Sequence, residues 1–192
     1  MSNKYTNFVS PRGTAKYPKL DQPYKWSSGQ NKSVQDADGQ YEVAVVMGAA
    51  EAAPFVKLIQ DAITASGIDP QNKPFKKVVD KDTGKPTGDV EFKFKAYGKD
   101  YDGNPQRIKF FDAKAKPIPS NLSLSSGSII KVEGYVTVAK LGARLNIRGV
   151  QVISLAEAPS SFGEEEGYEY TDQDTPIAET HSEAIDDDSF DF

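Results

Sequence analysis

Four short segments carry basic or aromatic side chains at alternating positions, with mostly apolar residues between them: Lys93, Lys95 and Tyr97; Arg107, Lys109 and Phe111; Lys131 and Tyr135; Arg144 and Arg148. Successive side chains of an extended chain point to opposite faces, so each segment can bury one set of residues and offer the other to solvent. Gathered on one surface, the cations would track phosphates while the rings stack on bases, at roughly 1 to 3 kcal/mol per stacked base and without regard to sequence. Single-stranded nucleic acid calls for this mixture. Taken singly, the same charges read equally well as ordinary solvation, and Phe111 or Tyr135 as core. Only convergence would separate the two readings.

Two further groups have the same chemistry. Tyr24 and Trp26 flank Lys25 in a polar N-terminal stretch. They can stack on bases or pin that stretch to the body, and pinning is favoured because Trp so often serves as contact area. Lys76 and Lys77, behind Phe75, form a weaker candidate for a phosphate contact.

The opposite charge is collected at the other end. Residues 1–158 hold 23 basic and 16 acidic side chains, whereas residues 159–192 hold 12 acidic and no basic ones. A basic body followed by a polyanion points to nucleic-acid contact by the body and an interaction role for the acidic segment; a solubilising tail is the plainer reading. The final run, Asp186, Asp187, Asp188, Ser189, Phe190, Asp191 and Phe192, interleaves carboxylates with rings. It resembles a nucleic-acid strand electrostatically and can compete for the same surface. It can equally dock a protein partner, with Phe192 in an apolar pocket and carboxylates against a basic rim.

Other chemistries fail on residue type. Cysteine is absent and His181 is the only histidine, which excludes disulfides, thiolate metal sites and histidine-rich zinc sites. Neither a Gly-x-x-x-x-Gly-Lys phosphate loop nor a Gly-x-Ser-x-Gly elbow occurs. Asp100, Asp102 and Asn104 begin like a calcium loop, but Pro105 stands where glycine is required and Phe111 where glutamate is. No enzyme, cofactor or metal is expected. The longest apolar run, Val43 to Ala50, falls far short of the roughly 20 residues that span a bilayer, so the expectation is a soluble intracellular protein.

Strands are needed to position these residues. Residues 40–47 form a β-branched run ending at Gly48, and a helix follows in which Phe55, Leu58, Ile59, Ala62 and Ile63 share a face and Gly67 supplies the stop. Residues 70–88 read as an irregular, turn-rich excursion. Val90, Phe92, Phe94 and Ala96 alternate with polar residues, and the turn at Asp102–Pro105 leads into Ile108 and Phe110, giving a hairpin. Ile130, Val132, Gly134, Val136 and Val138 share a face, as do Ala143, Leu145 and Ile147, after which the apolar phase slips at Gly149 and predicts a β-bulge. The fold class expected is mainly β: a five-stranded oligonucleotide-binding (OB) barrel with one inserted helix, an extended N-terminal arm and a flexible acidic C-terminal tail. An immunoglobulin-like sandwich is the runner-up. The domain plan is an arm at 1–38 packed on the barrel, an OB domain at 39–158 and a disordered acidic tail at 159–192.

The chain also resembles phage single-stranded DNA-binding proteins of replication, recombination and repair. The resemblance rests on Val90–Tyr97, Ile108–Asp112, Gly127–Val132, Leu141–Ile147, Val150–Ile153 and the acidic end closed by Phe192. It implies an OB fold, single-stranded DNA as ligand, cooperation with phage DNA polymerase and helicase/primase, a role for Phe192 in those contacts, and the cytoplasm of an infected bacterial host. Some members anneal strands and dimerise through their tails; neither annealing nor a homodimer is assumed, because residues 67–88 differ from the long helical insert of those members. A protein-interaction adaptor or DNA mimic acting through the acidic segment is the alternative.

Overall fold

In the computed structural model, which describes residues 5–119 and 122–157, ten strands and one helix follow one another. They are β1 (Thr6–Val9), β2 (Gly13–Ser27), β3 (Lys32–Gln35), β4 (Gln40–Met47), α1 (Ala49–Ser66), β5 (Phe75–Val79), β6 (Pro86–Tyr97), β7 (Lys109–Phe111), β8 (Pro117–Ile118), β9 (Ile129–Ala139) and β10 (Gly142–Ser154). Hydrogen-bonded pairing runs β2–β4–β6–β10–β9 and returns from β9 to β2 through Ile130 opposite Gly13 and Ile129 opposite Thr14. Five strands therefore form a ring in the order first, second, third, fifth, fourth, an OB-like arrangement.

Alternation makes the ring. In β4 the burial pattern alternates at every residue, with Tyr41, Val43, Val45 and Met47 inside. Its partner β6 turns Phe92, Phe94 and Ala96 inward, and the antiparallel register sets Val43 opposite Phe94 and Val45 opposite Phe92. The helix caps this core. Phe55 lies with its ring centroid 5.0 Å from Phe92, 6.2 Å from Phe94 and 5.3 Å from Phe8 of β1. Offset and edge contacts of this kind add about 0.5–1.5 kcal/mol each beyond the apolar area they bury. Helix α1 ends as its sequence requires, with Gly67 in the left-handed conformation at φ 67° and its N–H donating to the Thr64 carbonyl.

Two sequence expectations about these strands hold. Ile108 and Phe110 are core residues, and the register of β9 with β10 shifts between Ile147 and Gly149, where a bulge was expected. Three others are corrected. The N-terminal stretch does not lie on the domain as an arm: β2 is a member of the ring, pairing with both β4 and β9, and β3 folds back on β2. Periodicity is hidden there because Tyr17 takes a positive φ of 49° before Pro18, and the β2–β4 register shifts between Lys16 and Lys19 and again between Lys19 and Tyr24. A bent strand loses its period-two signal. The excursion at 70–88 is not irregular throughout, since β5 pairs antiparallel with β6 across a turn and β6 begins at Pro86. The segment at 107–111 makes no hairpin with β6. Beyond the isolated bridge of Lys99 to Pro105 the chain leaves, and β7 pairs in parallel with β10 and antiparallel with β8.

The ring and the elements packed on it belong to a single compact unit that ends at Ala158. The tail expected at 159–192 lies outside the described residues.

Gly134 marks the tightest approach in the ring. A Cβ at this position would sit 1.7 Å from the Asn146 carbonyl oxygen and 3.1 Å from the Phe8 ring. Backbone cannot yield as a side chain does, so Gly134→Ala is expected to cost about 3 kcal/mol of unfolding free energy in urea, the upper part of the overpacking range. Glu133→Gln, exposed on the same strand, should stay within about 0.5 kcal/mol.

Candidate nucleic-acid interface

The outward positions of β4 and β6 form the floor of a trough. Antiparallel register sets Glu42 opposite Lys95, Ala44 opposite Lys93 and Gln40 opposite Tyr97, while β2 brings Lys16 opposite Ala44 and Lys19 opposite Glu42. Two hollows lie along this floor and meet at Glu42. One, about 370 Å³, is lined by Tyr24, Lys25 and Trp26 with Lys19, Gln40 and Lys95. The other, about 460 Å³, is lined by Lys16, Tyr17, Lys73, Lys76, Lys81 and Lys93. In the OB architecture the ligand face is that of the second and third strands, flanked by the loop between the first two and the loop between the last two. Here β4 and β6 supply the face, the β2–β3 hairpin one flank and the β9–β10 turn the other.

Both flanks are braced. Tyr24, on the β2–β3 hairpin, pairs with Gln35 on one side and Gln40 on the other. The β9–β10 turn is held by the segment before β5: Gln71 N–H donates to the Lys140 carbonyl, Asn72 Nδ2 donates to the Leu141 carbonyl at 2.9 Å, and Ala143 N–H donates to the Asn72 carbonyl.

The rings that can receive bases are open. Trp26 is 62% exposed, Tyr17 72% and Tyr97 55%. Trp26 therefore does not pin the N-terminal stretch, against the packing role favoured from sequence. Arg144 of β10 lies on Tyr97, with Cζ 4.1 Å from the ring centroid. Its Nε and Nη2 are buried with no hydrogen-bond partner among the described residues. Arg148 similarly covers Tyr135 at 4.7 Å and donates to Asn7 Oδ1 at 3.2 Å. Asn146, opposite Tyr135 and beside Lys95, joins these residues to the floor.

Thus Tyr24, Trp26, Lys93 and Lys95 line the trough, and Tyr97, Arg144, Tyr135 and Arg148 lie beside it, linked through neighbouring register across β6, β10 and β9. The remaining four do not join the trough. Phe111 and Lys131 line a separate hollow of about 180 Å³ with Val9, Glu133 and Gln151. Lys131 lies four residues along β9 from Tyr135, about 13 Å at the usual strand rise. Lys109 sits opposite Gly149, and exposed Arg107 precedes β7. The cause is the corrected pairing: β7 adds to β10 rather than to β6, so its outward side chains continue a different stretch of the sheet. Sequence reasoning missed Lys16, Lys19, Lys73 and Lys81, which sit in segments without periodicity. Lys76, a weak candidate there, does reach the trough, whereas Lys77 is not among its lining residues.

Carboxylates share the floor. Glu42 holds Lys93 at 3.1 Å and Lys95 at 3.2 Å, and Glu91 holds Lys16 at 3.2 Å and Lys76 at 3.0 Å. Burial pushes the Glu42 carboxyl up, but Lys93 and Lys95 outweigh it and leave the group below its ordinary value. Glu91 is likewise raised by burial and lowered, on balance, by Lys76 and Lys16. Among the described residues no group of three or more His, Cys, Asp or Glu could hold a metal ion, and no helix is long and apolar enough to cross a membrane.

Three solved structures share this fold. The gp2.5 single-stranded DNA-binding protein of bacteriophage T7 superposes with a TM-score of 0.58 at 20% identity, over 87% of this chain and 100% of that one. The single-stranded DNA-binding protein of bacteriophage Enc34 matches as a C-terminal truncation, with a TM-score of 0.55 at 16% identity over 79% of this chain and 87% of that one. In complex with single-stranded DNA the Enc34 protein matches at 0.55 and 15% identity, over 79% and 88%. The chain has the fold of phage single-stranded DNA-binding proteins. Each of these neighbours is described by the DNA it binds, not by a reaction. No family model matches the sequence, and no curated protein does.

The two clamped carboxylates predict how stability follows pH. Both titrate lower in the folded chain than in the unfolded one, so their contribution is complete above the ordinary glutamate value of about 4.3 and is lost as pH falls through the folded values. Thermal unfolding from pH 6 to pH 3 should therefore show a smaller drop in Tm for the Glu42→Gln, Glu91→Gln double variant than for the parent.

Proposed function

We propose that this chain binds single-stranded DNA, without sequence preference, in the trough over β4 and β6 of a closed OB barrel, and that it serves phage DNA replication and recombination in the cytoplasm of the infected bacterial host. One observation carries the reading: exposed Trp26, Tyr17 and Tyr97 border a lysine-lined path across the two strands that OB folds use for oligonucleotides. Lysines supply affinity for phosphates and the rings supply stacking, neither of which depends on base identity. The fold shared with phage proteins that bind single-stranded DNA supports the same assignment.

The acidic segment extends the proposal. With 12 acidic and no basic residues in 159–192, it offers the trough a rival polyanion, and Phe190 and Phe192 offer rings to the same stacking sites. The same residues, with Asp186, Asp187, Asp188 and Asp191, suit recruitment of the phage DNA polymerase and helicase/primase when DNA holds the trough.

Trp26 is the only tryptophan of the chain, so its fluorescence reports on the trough directly. Titration with oligo-dT should quench it, and the observed affinity should fall with salt with a log–log slope of about 0.7 per phosphate neutralised. Trp26→Ala and Tyr97→Ala should each weaken binding by about 1 to 3 kcal/mol, read by anisotropy of labelled DNA. Removing residues 159–192 should tighten binding, most visibly at low salt. Oligo-dT that leaves the fluorescence and anisotropy unchanged would instead favour an adaptor acting through the acidic segment.

A further inference from the structure

Glu42 and Glu91 are odd companions for a surface that is to hold phosphates. Each places one carboxylate oxygen against each of two lysines: Oε1 of Glu42 on Lys93 and Oε2 on Lys95, Oε1 of Glu91 on Lys76 and Oε2 on Lys16. That is how the two non-bridging oxygens of a phosphodiester would be shared between two ammonium groups. We propose that the trough contains two defined phosphate subsites, Lys93 with Lys95 and Lys16 with Lys76, and that Glu42 and Glu91 occupy them as internal stand-ins until the phosphates of a strand take over the lysines. This rests on the single-stranded DNA reading above and names the sites within it.

Three features support exchange over a purely structural pairing. The lysines of the Glu91 subsite come from separate strands and meet only through the carboxylate: Lys16 is on β2, Lys76 on β5, and Glu91 on β6. In three of the four pairs the lysine is the more accessible partner, and Lys95 is about as exposed as Glu42. Side-chain exposure is 73% for Lys76, 55% for Lys93, 40% for Lys16 and 31% for Lys95, against 16% for Glu91 and 33% for Glu42. A strand approaching from solvent thus meets ammonium groups with carboxylates beneath or beside them. Ion pairs this open to water are weak, so a lysine can change partners at small cost. The subsites are also distinct. Glu42 lies opposite Lys95 and Glu91 is four residues before it on β6, which puts them about 13 Å apart along the strand.

Exchange also shapes the salt dependence. When a phosphate takes a lysine, cations condensed on the DNA are released, but the glutamate left behind must recruit a cation of its own. Net release is smaller than the number of lysines implies. Binding is then weaker and less steeply salt-dependent than bare lysines would give.

The test compares full-length Glu42→Gln and Glu91→Gln with Asp61→Asn, which makes the same change of charge at the Lys57 pair on α1. Oligo-dT is titrated across a range of NaCl concentrations with Trp26 fluorescence as readout. Each glutamine variant should bind about fivefold more tightly at fixed salt, with a log–log slope steeper by up to about 0.7 for the one carboxylate charge removed. Asp61→Asn should change affinity by less than about twofold and leave the slope unaltered. A double-mutant cycle supplies the second readout: Lys76→Ala should lose more affinity in the Glu91→Gln background than in the parent. Glutamine variants that bind no more tightly than Asp61→Asn, or a Lys76→Ala penalty that is equal or smaller without Glu91, overturn the subsites while leaving DNA binding in place. A parent protein that does not bind oligo-dT overturns both.

Discussion

Everything on the working face follows from one constraint, the antiparallel register of β4 with β6. Val43 against Phe94 and Val45 against Phe92 fill the ring, and the same pairing leaves Glu42 beside Lys95 and Ala44 beside Lys93 on the outside. A slip of one residue would turn each set to the other face, burying lysines and exposing phenylalanines. The register is held from within. Phe55 of α1 and Phe8 of β1 pack on Phe94, and Phe55 and Phe75 pack on Phe92, so the helix and two neighbouring strands secure the residues whose neighbours carry the chemistry.

Ring closure then decides what borders the floor. Because β2 joins β4 on one side and β9 on the other, its bend at Tyr17–Pro18 and its hairpin with β3 bring Tyr17, Tyr24 and Trp26 to the trough. Because β10 pairs in parallel with β6, Arg144 reaches Tyr97 from the opposite side. The exposed rings thus come from both flanks and the lysines mainly from the strands between and the loops beside them. Such a division suits a ligand that is a line of charges with flat rings attached. Carboxylates placed among the lysines lower the net positive charge of the surface.

Strict alternation is legible in a sequence because it reports burial directly. The strand at 40–47 was expected with the bounds it has, and so were the inward and outward faces of 90–97, the helix stop at Gly67 and the irregularity beside Gly149. Lys93, Lys95 and Tyr97 followed from the same signal. The remainder was hidden for identifiable reasons. Positive φ at Tyr17 and two register shifts break the period of β2, so a ring strand looked like an arm, and with it went Lys16 and Lys19. Gly84 between the strands and Gly88 within β6, both at positive φ, masked the β5–β6 pairing and hence the place of Lys76.

Determined by the amino-acid order alone were the faces presented by β4, by residues 90–97 of β6 and by residues 130–138 of β9, the mixture of cations and rings available for display, and the separation of basic from acidic charge at Pro159. These are local properties, set by the pleat of the backbone and by composition. Which strand lies next to which belonged to the tertiary structure. Partner choice depends on filling one core from residues far apart in the chain, and local pattern carries no record of it: the outward residues of β7 read like those of β6, yet pairing with β10 sends Lys109 and Phe111 to another stretch of the sheet. The pairing of Glu42 and Glu91 with four lysines from three strands had no signature in the sequence either, since it exists only where folding brings those strands together.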